Sequence, residues 1–376
     1  MMKLLKYESI SPAENDFNFD ATCFERVNLL VGDSGTGKTR FLNAIVNFFK
    51  QLTSNRVSFI GKWNIIFESD GKIYTYKLSV IQSVKSPREK TIEYEELATG
   101  TEPIFIRNDG KITWNNMEIP RLSSDQSCFS LLEDDIITPI YINMKKIIAR
   151  RFSGNELANN FQLGTVISNS PNNPVPTHIK KLGDLAVEPI DFHNKMYILQ
   201  KMMPQGYDKV IALIKTAFPF IQDAGVQDVM KVLPNFQGAL NTHVFCIRER
   251  NIEKWIATND ISSGMQKIFL LILDTFLLQD AGILLIDEYE NSLGVSAINF
   301  LPDLIETISQ NCQFIITSHH PYIINNIPIE SWKVFHRDGT SVHITDGAIL
   351  KEKYAKSRQD HFIQLINDPL YNGGIG

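Results

Sequence analysis

Apolar and polar residues keep two different rhythms along this chain. In the first third they form short stretches of strand length. Val27-Asn28-Leu29-Leu30-Val31 reads as a buried strand, and residues 56–68 and 73–81 are rich in Val, Ile, Phe, Trp and Tyr. Ser69-Asp70-Gly71-Lys72 between the latter two is a hairpin signal, and Asn108-Asp109-Gly110-Lys111 joins 103–107 to 112–114 in the same way. One helix interrupts these strands: Phe41, Leu42, Ala44, Ile45, Val46, Phe48 and Phe49 read as its core-facing side. Residues 131–148 return to apolar character, with a strand expected around 139–142. The stretch 153–189 is looser, and Ser168-Asn169-Ser170-Pro171-Asn172-Asn173-Pro174 reads as irregular. From 191 to 232 the period is helical, interrupted by Pro204 and Pro219, and never sustains heptads. The last third alternates: strand 242–249, helix 263–278, strand 283–286, helix 296–309, strand 313–317. Such alternation predicts an α/β fold with a mostly parallel sheet covered on both faces. A β-rich arm and a short helical insertion are added to it. The expected organisation is an N-terminal lobe 1–152, an insertion 153–240 and a C-terminal lobe 241–376.

Composition changes this picture little. The chain has 376 residues, 43% hydrophobic and 21% charged, with a formal net charge of −5. A core of ample size is therefore available. No apolar run approaches the length of a membrane span, and Met1-Met2-Lys3-Leu4-Leu5-Lys6 lacks the apolar core of a signal peptide. A cytoplasmic protein with no membrane partner is expected. Cys23, Cys128, Cys246 and Cys312 stand too far apart for ligand spacing and read as reduced packing residues. The mild acidity gives no global sign of nucleic-acid binding. Locally, Lys145, Lys146, Arg150 and Arg151 would form one basic strip if they lie on a helix, either a solvated face or a DNA contact. Lys180-Lys181 is a second small cluster.

Candidate chemistry changes the picture most. Gly32, Asp33, Ser34, Gly35, Thr36, Gly37, Lys38 and Thr39 form a complete G-x-x-x-x-G-K-[ST] loop between the 27–31 strand and the following helix, which continues with Arg40. Glycines let backbone N–H groups turn inward around phosphates, and the helix N-terminus adds positive potential. Lys38 would reach the β- and γ-phosphates and the Thr39 hydroxyl would ligate Mg2+. A nucleoside triphosphate site is implied. Ile283-Leu284-Leu285-Ile286 then delivers Asp287 and Glu288 to the carboxyl end of a buried strand, where ligands bind in open α/β sheets. Asp287 is the expected Mg2+ ligand, and Glu288 the group that polarises the attacking water.

Ile261-Ser262-Ser263-Gly264-Met265-Gln266-Lys267 opens the 263–278 helix and ends about twenty residues before those acids. It resembles the signature motif of ABC-type ATPases, with serine in place of one glycine and isoleucine at the leading position. In that family the loop caps the γ-phosphate held by the opposite subunit. The resemblance therefore implies Ser262, Ser263, Gly264 and Gln266 as nucleotide contacts across a homodimer or higher homo-oligomer. Tyr289-Glu290-Asn291-Ser292-Leu293-Gly294 resembles the D-loop. Thr317-Ser318-His319-His320-Pro321 resembles the segment whose histidine contacts the γ-phosphate, which implies His319, with His320 as a neighbour.

The whole pattern is similar to the OLD-like and SMC/RecF-like branch of these ATPases. Lys38 and Asp287 stand 249 residues apart, more than a compact transporter domain uses. Full OLD-type proteins add a Toprim nuclease domain, and the residues after His319 hold no Asp-x-Asp pair. Any nuclease activity is therefore expected from a separate polypeptide. The chain resembles the stand-alone ATPase subunits of Septu- or PARIS-type anti-phage loci. That resemblance implies an ABC-head P-loop fold, ATP and Mg2+ as cofactors, slow hydrolysis, and control of a separate effector protein, a nuclease or toxin. The second expectation is a RecF/SMC-like repair clamp that binds duplex DNA.

Overall fold

The computed structural model describes residues 2–12, 16–83, 89–120, 122–161, 176–233, 243–279, 282–291, 293, 298–307, 311–355 and 360–372. The chain begins with strands β1 (Met2–Ile10), β2 (Asn18–Cys23) and β3 (Val27–Gly32), then helix α1 (Lys38–Thr53). Antiparallel strands follow: β4 (Gly61–Ser69), β5 (Lys72–Gln82), β6 (Lys90–Thr99), β7 (Glu102–Asn108), β8 (Lys111–Trp114) and β9 (Met117–Ile119). Next come α2 (Cys128–Leu131), α3 (Ile137–Met144), β10 (Ile147–Arg150), α4 (Gly154–Phe161), α5 (Leu182–Val187), α6 (Phe192–Met202) and α7 (Pro204–Ala217). After β11 (Ile221–Asp228), α8 (Val229–Val232), β12 (His243–Glu249), β13 (Ile256–Ala257) and α9 (Ser263–Leu277), the chain forms β14 (Gly282–Ile286), β15 (Cys312–Thr317), β16 (Trp332–Asp338) and β17 (Ser341–Asp346).

Two compact units result. The first comprises Met1–Arg150, Asp280–Tyr289 and Asn311–Gly376; the second comprises Arg151–Gln279 and Glu290–Gln310. The first carries one sheet in the order β10-β14-β15-β3-β16-β17-β2-β1-β4-β5-β6-β7-β8-β9. From β10 to β16 every pairing is parallel. The register places Ile286 beside Arg150 and Ile316, and Thr317 beside Leu30, so the carboxyl ends of β14, β15 and β3 come to one edge. That edge is where an α/β sheet takes its ligand. β3 is buried on both faces, and its one amide is satisfied: Asn28 Nδ2 donates to Phe314 O at 3.1 Å and to Glu25 O at 2.7 Å.

The arm β4–β9 is the expected run of hairpins. Asp70 (φ 50°) with Gly71 (φ 79°), and Asp109 (φ 48°) with Gly110 (φ 77°), supply the paired left-handed residues that two-residue turns require. Helix α1 buries Phe41, Leu42, Ile45, Phe48, Phe49 and Leu52 on one stripe. Tyr7 meets Phe41 and Phe48 edge-on at 5.6 and 6.0 Å, and Phe335 meets Phe41 at 5.3 Å. This aromatic cluster fixes the start of α1 against β1 and β16.

Three expectations are corrected. Residues 139–142 are not a strand but lie within α3. Pro139 falls in its first turn, where a missing N–H costs nothing, and Asp134 Oδ1 accepts from Ile136 and Ile137 N at 2.7 and 2.6 Å. The strand is β10, and it separates the four basic residues. Lys145 follows the last turn of α3, with Nζ 4.2 Å over the Tyr141 ring, while Arg150 ends an extended strand. No single helical strip forms from them. The helical stretch 191–232 is also broken by a strand and resumes only in the short α8 (Val229–Val232). α7 stops before Pro219, and Ile221–Asp228 pairs antiparallel with β12 in the three-stranded sheet of the second unit. Ser168–Pro174, and parts of the 296–309 helix, lie outside the described residues.

Candidate functional site

The phosphate loop turns at glycines whose backbone angles L-residues rarely adopt: Gly32 at φ 154°, Gly35 at 84° and Gly37 at 101°. A Cβ on Gly32 would stand 2.6 Å from Phe335 O. Because that neighbour is backbone of the paired strand, Gly32→Ala is expected to destabilise the fold by about 1–3 kcal/mol. Urea or thermal unfolding measures it, and an unchanged midpoint would show that the strand pair yields.

Lys38 is buried, and its ammonium occupies the hollow of the loop. Nζ donates to Gly32 O and Asp33 O, both at 2.8 Å, and stands 3.4 Å from Thr36 Oγ1. Thr36 Oγ1 donates to Asp33 O at 2.9 Å, and Ser34 N donates to Asp33 Oδ1 at 2.7 Å. α1 has no acidic residue in its first turn, so nothing there offsets its positive end. These are the parts of an anion cradle whose cation rests on carbonyls it can leave.

The carboxylates stand at the end of β14. Asp287 N donates to Arg150 O at 2.8 Å, and Asp287 Oδ1 accepts from Thr39 Oγ1 at 3.0 Å and from Thr317 Oγ1 at 2.8 Å. Thr39, Asp287 and Thr317 are thus one cluster of hard oxygens, a donor set that suits Mg2+ completed by phosphate and water. Glu288 leaves the strand at φ 50°, a left-handed conformation costly for a non-glycine residue. Its N–H donates to Thr317 Oγ1 at 2.7 Å, and the next N–H, of buried Tyr289, donates to Thr317 O at 3.1 Å. Pinned in this way, the exposed Glu288 reaches a cavity of about 420 Å3 that also takes in Lys38, Thr39 and His319. The two histidines separate cleanly. His319 lines the cavity, whereas His320 Nδ1 accepts from Tyr322 N at 3.2 Å and caps the helix Pro321–Asn326.

Two further lining residues, Phe17 and Arg337, carried no signal in the sequence, and Thr317 stood there only as the opening of the His319 segment, not as a hub. Phe17 comes from the β1–β2 connection and Arg337 from β16. Two guanidinium groups lie over the Phe17 ring, Arg40 at 4.2 Å and Arg337 at 5.4 Å from its centroid.

The lining is drawn wholly from the first unit, and the signature residues belong to the second. Ser262 caps α9, its Oγ accepting from Met265 N at 3.3 Å, and Gln266 Nε2 donates to Thr258 O at 2.8 Å. Ser262 and Ser263 are exposed at this helix start. Buried Lys267 donates from Nζ to Asn291 O at 2.9 Å and lies 4.4 Å over the Phe152 ring. It joins α9 to the segment that follows the acids. Ser292 and Gly294 of that segment lie outside the described residues.

The family described as "AAA domain, putative AbiEii toxin, Type IV TA system" matches residues 27–325. Among solved structures, an SMC head bound to the C-terminal winged-helix domain of ScpA aligns with a TM-score of 0.52 at 14% identity, over 91% of this chain and 97% of that one. A Smc head with an extended coiled coil, bound to the C-terminal domain of ScpA from Pyrococcus furiosus, aligns at 0.53 and 12% identity, over 96% and 100%. At such identities the likeness is one of fold. No curated protein matches in sequence.

Proposed function

The chain belongs to the AbiEii-type AAA domain family, and on that premise we propose that it hydrolyses Mg-ATP slowly and uses the nucleotide to gate a two-chain sandwich. That sandwich controls a separately encoded effector, a nuclease or toxin, in prokaryotic anti-phage defence. The observation that carries the chemistry is convergence: Lys38, Thr39, Glu288 and His319 line one cavity, and Asp287 is hydrogen-bonded to Thr39 beneath it.

The loop N–H groups and the end of α1 would hold the phosphates, with Lys38 leaving the Gly32 and Asp33 carbonyls for phosphate oxygens. Mg2+ bound by Thr39 Oγ1 and Asp287 would neutralise charge on the β- and γ-phosphates. Glu288 would take the proton of the attacking water and His319 would contact the γ-phosphate.

The exposed start of α9 suits a role in trans, because the N–H groups and the dipole of a helix start favour an anion. Ser263→Arg places a long cation and bulk at that start. Nucleotide binding by this variant is expected to stay within about twofold of wild type while ATP-dependent dimerisation, read by light scattering, is lost. Unchanged dimerisation would remove the signature residues from the interface.

The family's description names a toxin of a TA system, which supports a partner-controlled role. The duplex-DNA alternative came from the RecF/SMC-like resemblance and expected its contacts from strips such as Lys145, Lys146, Arg150 and Arg151. With α3 ending at Met144 and Arg150 on β10, those four residues do not share one helical face. Among the described residues no helix is long and apolar enough to cross a membrane.

A further inference from the structure

Phe17 and Arg40 also line a second cavity. It measures about 530 Å3 and lies beside α1, the end of β1 and the segment leading into β4. Phe19, Phe48, Phe59 and Trp63 give it aromatic walls, and Asn43 and Asn47, one turn apart on α1, give it an amide strip. An apolar cavity of this size with a few convergent polar groups is the usual form of a small-molecule site.

Its place on the chain says what occupies it. The phosphate loop fixes one end of a nucleotide at Lys38 and Thr39, and the next residue, Arg40, is already wall to both cavities. A ribose and base leaving the phosphates past Arg40 meet Phe17 and then this space. The inference therefore rests on the nucleotide site proposed above.

The polar groups of the second cavity are not equivalent. Reading the N7/O6 edge of guanine takes a basic side chain, and reading its N–H edge takes a carboxylate. The basic and acidic groups here are engaged: Arg40 lies on the Phe17 ring, and Lys90 Nζ donates to Ser58 O. Asp16 accepts from Phe17 N at 2.9 Å and Ser11 Oγ at 3.1 Å. The Asn47 amide, half-buried on the cavity wall, makes no hydrogen bond among the described residues. An amide offers a donor beside an acceptor, which matches the N6/N7 edge of adenine and mismatches the two acceptors of guanine.

We propose that this cavity is the base subsite and that Asn47 selects adenine over guanine. A matched pair of such bonds discriminates by roughly 5- to 150-fold.

The test compares ATP, GTP and inorganic tripolyphosphate, which carries the phosphates without a base, by calorimetry with Mg2+. Wild type is expected to bind ATP at least tenfold tighter than GTP. Asn47→Leu, close to the same size without the amide, should lose about tenfold for ATP while GTP and tripolyphosphate stay within twofold. Asn47→Ala is the parallel variant should the leucine variant misfold, and tripolyphosphate binding reports the folded site in each. A wild type that binds tripolyphosphate but does not prefer ATP overturns this inference alone. A parallel loss for all three ligands also overturns it, because the amide would then be structural. Failure of wild type to bind tripolyphosphate or either nucleotide removes the phosphate site and this inference together.

Discussion

Glu288→Gln is expected to slow ATP hydrolysis by roughly 100- to 10,000-fold, the range a general base contributes, while leaving ATP affinity within about threefold. The reason is a separation of labour in the geometry. Glu288 is held by its backbone, through Glu288 N to Thr317 Oγ1 and Tyr289 N to Thr317 O. An amide in place of the carboxylate disturbs neither bond, nor the Thr39–Asp287 contact beneath. What it removes is the ability to take a proton from water. The φ of 50° at this residue is consistent with a side chain held where the chemistry needs it rather than where a strand end would relax. Single-turnover phosphate release measures the rate and fluorescent-nucleotide titration the affinity. A variant hydrolysing at the wild-type rate would take Glu288 out of the reaction. The same variant, loaded with ATP, should accumulate the closed dimer and retain its partner on affinity purification. A co-purifying nuclease or toxin supports effector control, whereas DNA without a protein partner revives the clamp.

How much of this was legible in the chain depends on how local each constraint is. The phosphate loop is a contiguous element: three glycines, a lysine and a threonine between a strand and a helix leave little for distant residues to decide. Asp287 and Glu288 were readable for a similar reason, because four apolar residues fix the strand and the acids fall at its end. The motif already put His319 ahead of His320, and the bond from Tyr322 N adds what the second imidazole does, which is to cap a helix. Phe17 and Arg337 were invisible. They reach the cavity through the pairing of β17 with β2 and of β16 with β3, long-range contacts that no periodicity reports. The misread stretch 139–142 shows a different limit. Thr-Pro-Ile-Tyr-Ile is short, apolar and rich in β-branched residues, so its pattern suits a strand and a buried helix alike. The side chain of Asp134, capping the two N–H groups before it, decides for the helix.

Lys38→Ala is expected to weaken ATP binding at least 100-fold, with little change in the stability of the nucleotide-free protein. The two halves of that expectation follow from one position. Without nucleotide, the ammonium sits in the loop on two backbone carbonyls at 2.8 Å, a buried cation whose desolvation largely offsets those bonds. Removing it opens a hollow that faces the cavity, where water can serve Gly32 O and Asp33 O, so the net cost should stay near 1 kcal/mol. With nucleotide present, the same ammonium would meet several phosphate oxygens, and charge-assisted bonds of that kind contribute about 1.5–3 kcal/mol each. Thermal unfolding separates the two effects in one experiment. Mg-ATP at a hundred times its dissociation constant should stabilise wild type by about 2.7 kcal/mol. A variant binding at least 100-fold weaker gains no more than about 0.4 kcal/mol by the same relation, so the Lys38→Ala midpoint should stay close to that of nucleotide-free wild type. An alanine variant that gains as much stability from Mg-ATP as wild type would mean that the loop N–H groups and the helix end hold the phosphates without Lys38. A variant already unfolded without nucleotide would mean that the lysine is a structural part of the loop.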